Sequence, residues 1–192
     1  MSRYWVTGPS GSGKTFHKEA FEQFGVRATD LDDIGYRTDE SSSHWLISVD
    51  VLKYWLSREQ KTDAFYFGIA NNWNRISRLE WDGVVILNPP SSTILRNRAI
   101  RGRVNTWETT ERQRLVELGD QSDPFFGGQF ARTLASTNKV VLMEATNVEP
   151  RLLLSVARRI NEFSTKRNGL VRYGVKSPSA SDEPSSTIEI PE

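Results

Sequence analysis

The sequence predicts a three-layer α/β fold, in which a mainly parallel sheet of about five strands carries helices on both faces, and three observations support it. Short apolar runs alternate with amphipathic stretches, as in successive strand-helix-strand units. The run Gly83-Val84-Val85-Ile86-Leu87 is apolar throughout and stops at Asn88-Pro89-Pro90, the pattern of a central strand covered on both faces. Between the first apolar run and the first amphipathic stretch lies Gly8-Pro9-Ser10-Gly11-Ser12-Gly13-Lys14-Thr15. That octapeptide is a complete phosphate-binding loop of the P-loop NTPase kind.

The elements follow in order. Residues 3–7 read as the first strand and 14–24 as the first helix. Between them the glycines allow positive φ and close approach, so successive backbone N–H groups point inward at a β-phosphate, backed by the positive end of the helix. Lys14 then reaches the β- and γ-phosphates, and Thr15 offers its hydroxyl to Mg²⁺. The loop therefore predicts a bound nucleoside triphosphate with Mg²⁺. Residues 26–31 read as a second strand ending in Asp30, Asp32 and Asp33. From Ser43 to Glu59, apolar Trp45, Leu46, Val49, Leu52, Trp55 and Leu56 recur at helical spacing, which predicts one helix. A third strand, 64–67, leads to Gly68 and to Asn71-Asn72. After the central strand at 83–87, residues 92–118 read as one or two helices with Arg96, Arg98, Arg101 and Arg103, and 119–128 as a loop. The last predicted strand is 140–143, and Pro150 opens a closing helix through Phe163. Residues 1–170 thus form the predicted domain, while 177–192, rich in Ser and Pro, cannot repay their ordering entropy and are expected to be disordered.

Composition narrows the function. The 25 basic and 24 acidic residues leave a net charge of +1, so no global field draws the chain to nucleic acid or membrane. There is no cysteine, hence no disulfide framework, thiolate nucleophile or thiolate metal site. His17 and His44 are the two histidines, and both read as surface helix residues. The first strand begins at once, and no run reaches the length of a membrane span. A cytoplasmic protein with no membrane partner is the expectation. The guanine-reading Asn-Lys-x-Asp is absent, since Asn138-Lys139-Val140-Val141 lacks its aspartate, and no later strand ends in Asp-Glu. Glu144 is the one acid that directly follows a later strand.

Asp30 and Asp32 supply the acidic chemistry. On an extended segment they share a face, so both carboxylates can point beyond the strand end toward a γ-phosphate. One can hold a metal-bound water while the other accepts a proton from an acceptor hydroxyl. The loop with Lys14-Thr15, the Asp30-x-Asp32 pair, the third strand ending at Gly68 and the later arginine segment together resemble the small P-loop kinases of the shikimate, gluconate and adenylate kinase group. The resemblance spans residues 3–163. It implies a γ-phosphoryl transfer from ATP to a small acceptor, with Asp30 near Mg²⁺ and Asp32 at the acceptor hydroxyl. It also implies a lid at 92–110, whose Arg98, Arg101 and Arg103 neutralise charge on the transferred oxygens. The triple-glycine substrate turn of shikimate kinase is not reproduced. Gly68, Asn71 and Asn72 stand in its place as acceptor-site candidates, with Trp45 available to stack on a planar substrate. Two further readings stay open: a nucleoside triphosphatase or polynucleotide-end kinase that grips nucleic acid through Arg96 to Arg103, and a binding switch driven by nucleotide occupancy.

Overall fold

A computed structural model of the chain describes residues 1–37, 45–58, 62–100, 125–163 and 169–174. Six strands form one parallel sheet: β1 (Arg3–Thr7), β2 (Arg27–Asp30), β5 (Ala64–Phe67), β6 (Gly83–Leu87), β7 (Lys139–Met143) and β8 (Gly169–Tyr173). Their order across the sheet is β2-β5-β1-β6-β7-β8. The predicted layer order and parallel pairing hold, with one strand more than expected. A short antiparallel pair, β3 (Gly35–Arg37) and β4 (Trp45–Ile47), stands apart from this sheet.

Side-chain alternation along the strands builds the two cores. Trp5, Tyr66, Val84, Ile86, Val140 and Leu142 point to one face, where Leu52 and Leu56 of α2 (Val49–Ser57) and Leu134 of α5 (Ala131–Ala135) meet them. Tyr4, Val6, Phe65, Phe67, Val85, Val141 and Met143 point to the other. There they bury Phe21 of α1 (Lys14–Gln23), Leu153 and Val156 of α6 (Pro150–Arg158) and Ile160 of α7 (Ile160–Phe163). Every residue of β5 and β6 is buried, as a strand covered on both faces requires.

The structure departs from the sequence reading at several points. Trp45 to Ile47 form a strand, not the first turn of a helix, because their backbone groups pair with Gly35 to Arg37 and with the loop after β5. The second strand ends at Asp30, and Leu31–Ile34 turn as a 3₁₀ helix, so Asp30 and Asp32 do not alternate along one extended segment. Residues expected as loop begin a π-helical turn, Phe125–Phe130, that runs into α5. The closing helix breaks at Arg159, and β8 follows it. His44, Arg101, Arg103 and the 177–192 tail lie outside the described residues. Among those described, no helix is long and apolar enough to cross a membrane.

Candidate active site

All six parallel strands end on the same edge, and the loop and the acidic pair singled out from the sequence lie along it. Strand order puts the end of β1, which opens into the glycine loop, between the ends of β5 and β6, with β2 and its Asp30 one strand further out. This is the crevice outside the carboxyl ends of the strands, where open α/β sheets bind ligands.

The loop itself is held by its glycines. Gly8, Gly11 and Gly13 have φ of 143°, 88° and 97°, and a side chain on Gly8 would run into the Leu87 carbonyl oxygen. Gly13 caps α1 in the left-handed region, and its carbonyl accepts from the His17 N–H at 3.1 Å. Lys14 Nζ donates to the carbonyls of Gly8 at 2.7 Å and Pro9 at 2.9 Å, folding the ammonium over the loop. The Ser12 hydroxyl is buried in the loop, and the Thr7 hydroxyl is buried where β1 enters it; neither has a hydrogen-bond partner among the described residues. A glycine cradle with orphaned hydroxyls, an ammonium and a helix N-terminus is a donor set that fits a polyphosphate.

Above the loop lies α4 (Ser91–Ile100). Its Asn97 Nδ2 donates to Gly11 O and its Arg98 Nε to Ser10 O, both at 2.9 Å. Beside them a cavity of about 440 Å³ is lined by Gly13, Phe16 and His17 on one side, Arg96 and Ile100 above, and Asn147 to Pro150 beyond β7. A volume in this range accommodates a nucleoside.

Asp30 and Asp32 sit together on the other flank of the loop. Asp30 Oδ1 accepts from the Asp32 N–H at 3.0 Å and so caps the 3₁₀ turn, while Asp32 Oδ1 accepts from Trp45 Nε1 at 3.1 Å. The Trp45 indole lies flat against Gly35, leaving no space there for a side chain. Asn71 Oδ1 takes the Trp45 N–H at 2.8 Å, and the Asn71 N–H returns to Trp45 O. Asn72 binds Ile47 at both backbone groups, its Oδ1 3.1 Å from the N–H and its Nδ2 2.8 Å from the carbonyl. The structure therefore places both asparagine amides on the backbone of β4, fixing the strand that carries Trp45 beside Asp32. Gly68 packs under Leu31, whose Cβ would lie 2.7 Å from a side chain there, and its carbonyl accepts from Trp5 Nε1.

One acid and one amide weighed for other functions have structural partners. Both oxygens of Glu144 stand 3.2 Å from Arg172 Nη1 on β8. Asn138 is buried and donates to the carbonyls of Ser77 and Leu134. No cluster of three or more His, Cys, Asp or Glu side chains that could hold a metal occurs among the described residues.

His17 corrects the sequence reading: it is buried, with 3% of its surface exposed, because the helical turn after Lys14 tucks it beneath Gly13. Its Nδ1 has no partner among the described residues, and burial pushes its pKa down from 6.5 to about 4. The native state therefore holds the neutral ring. As pH falls below 6.5 the unfolded chain takes up a proton that the folded one refuses until about pH 4. Stability is full above pH 6.5 and drains away between the two, by roughly 3 kcal/mol for this group. Thermal melts from pH 7 to pH 4 should show that decline, and His17→Phe should flatten it.

No family model matches the chain, and neither does any curated protein. Among solved structures it is similar to shikimate kinase from Acinetobacter baumannii in complex with shikimate, with a TM-score of 0.50 and 18% identity over 86% of this chain and 96% of that one. The fold is that of the P-loop kinases. A shikimate kinase from Bacteroides thetaiotaomicron is also similar, at 16% identity and a TM-score of 0.43, over 84% and 96% of the two chains. At such identities the likeness is one of fold alone. The parallel sheet and the loop between β1 and α1 are what the P-loop kinase fold requires.

Proposed function

We propose that this protein is a P-loop kinase that transfers the γ-phosphoryl group of ATP to the hydroxyl of a small acceptor, a metabolite or a nucleotide. The observation that carries the reading is the pairing of a complete phosphate loop with two carboxylates on the same sheet edge, with β5 between them. In this reading the loop from Gly8 to Thr15 holds the β- and γ-phosphates: Pro9, which has no N–H, sets the turn, and the N–H groups that follow it, with Ser10, Ser12 and Lys14 among them, donate. Thr15 and Asp30 would hold Mg²⁺, and the ion would supply positive charge to the phosphate oxygens. Asp32 accepts the acceptor's proton as its oxygen bonds to the γ-phosphorus, the bridge to the β-phosphate breaks, and ADP leaves.

Lys14 and Arg98 stabilise the transferred group from the loop side, and Arg101 and Arg103 are proposed to join them. Trp45, Gly68, Asn71 and Asn72 shape the acceptor side, the first directly and the others by fixing β4 and the 3₁₀ turn. The A. baumannii enzyme is in complex with shikimate, which supports a small hydroxyl-bearing acceptor as the substrate class. Thermal shift tests the proposal. A non-hydrolysable ATP analogue with Mg²⁺ should raise the melting temperature, and the true acceptor from a panel of hydroxy-metabolites and nucleosides should raise it again. No shift with the analogue at millimolar concentration would refute it.

A further inference from the structure

We infer that Asn97, an amide on α4 with no part in the phosphate loop itself, is a positioning residue for that loop, and that it acts by holding the Gly11 carbonyl outward. The inference rests on the reading of Gly8 to Thr15 as a polyphosphate site.

A phosphate loop works only if its N–H groups turn inward, and a peptide plane that turns its N–H inward must turn the neighbouring carbonyl outward. Outward carbonyls need donors, because a half-buried acceptor left unpaired costs free energy. The Gly11 carbonyl receives its donor from Asn97 Nδ2 at 2.9 Å, across 86 residues of sequence. The preceding carbonyl, of Ser10, receives Arg98 Nε at the same distance. Two consecutive residues of one helix thus hold two consecutive carbonyls at the crown of the loop.

The approach is close by construction. A side chain on Gly11 would meet Ile94 O at 2.9 Å and Arg98 Cγ at 3.1 Å, so glycine is required there by α4 as well as by its φ of 88°. The first turn of the helix is packed into the domain: Ser91, Thr93 and Ile94 are buried, shortly after β6 ends at Leu87. That packing fixes where Asn97 and Arg98 meet the crown. Asn97 is the informative member of the pair, since it is neutral: removing Arg98 would also remove a charge from the phosphate's surroundings.

The test uses two probes, Mg²⁺-ATP and inorganic tripolyphosphate, titrated calorimetrically into the wild type and into Asn97→Leu, which keeps the size and loses the donor. If Asn97 shapes the loop, both probes should weaken by about the same factor, roughly tenfold for one half-buried hydrogen bond, while the melting temperature falls by only a few degrees. Equal affinities of variant and wild type for both probes would overturn the inference. So would a loss confined to ATP, which would make Asn97 a contact of the nucleoside in the adjoining cavity. Failure of the wild type to bind either probe would instead refute the polyphosphate site. Should Asn97→Leu fold poorly, Asn97→Ser, too short to reach Gly11, gives the same comparison with the same outcomes.

Discussion

Replacing Lys14 with alanine should lower the rate of phosphoryl transfer by about two to three decades, the usual consequence of removing one preorganised charge from a transferring group. The fold should survive. Lys14 lies half-exposed at the first turn of α1, outside both hydrophobic clusters, so its side chain fills no part of either core. Alanine is also the best helix former at that position, so the change in stability should stay within about 1 kcal/mol. The measurement is kcat for the purified variant beside its thermal melt. A melt like the wild type's together with unchanged product formation would sink the assignment of the loop to catalysis. Reduced affinity for ATP with unchanged kcat would make Lys14 a binding group and not a catalytic one.

The parts of the fold legible in the sequence are those whose signal is local. The central strands Ala64–Phe67 and Gly83–Leu87 are buried on both faces, and their uninterrupted apolar runs say so. The loop between β1 and α1 is legible because its glycines, lysine and threonine are required by phosphate geometry whatever the rest of the chain does. What the sequence hid depends on distant partners. Trp45 and Leu46 fit the helical spacing of the residues after them, yet Trp45 to Ile47 are a strand because Gly35 to Arg37 and Asn72 supply backbone partners. Gly169–Tyr173 is only partly buried at the edge of the sheet, so its alternation is blurred, and among the described residues it pairs with β7 alone.

The site divides the same way. Asp30 and Asp32 stood out as acids after a strand, yet their relation is not the one alternation predicts. A 3₁₀ turn intervenes, and the Asp30 carboxylate caps it by accepting the Asp32 N–H. His17 was misplaced because a histidine in a polar helix carries no mark of which face is covered. Its neighbours Gly13 and Phe16 stand against the ring, and the buried face is visible only in the fold. Asn97 offered no signal at all, being one polar residue among arginines, and only its contact with Gly11 distinguishes it.

Replacing Asp32 with asparagine should leave ATP binding intact and lower phosphoryl transfer by about two to four decades, the range associated with a positioned general base. The amide keeps the shape, and its oxygen can still accept from Trp45 Nε1, which holds the carboxylate at 3.1 Å. The cap from Asp30 also persists, since it is made to the Asp32 backbone N–H and not to its side chain. What disappears is the negative charge and the capacity to take a proton. The loss should therefore fall on kcat, with the affinity for ATP close to that of the wild type. The exposed position of Asp32 on the 3₁₀ turn argues that stability will change little, by about 0.5 kcal/mol or less. Single-turnover kinetics with the cognate acceptor measure this. An Asp32→Asn variant that transfers at the wild-type rate would show the acid to be a solvated anchor for Trp45, and the proton acceptor would have to be sought elsewhere on the sheet edge.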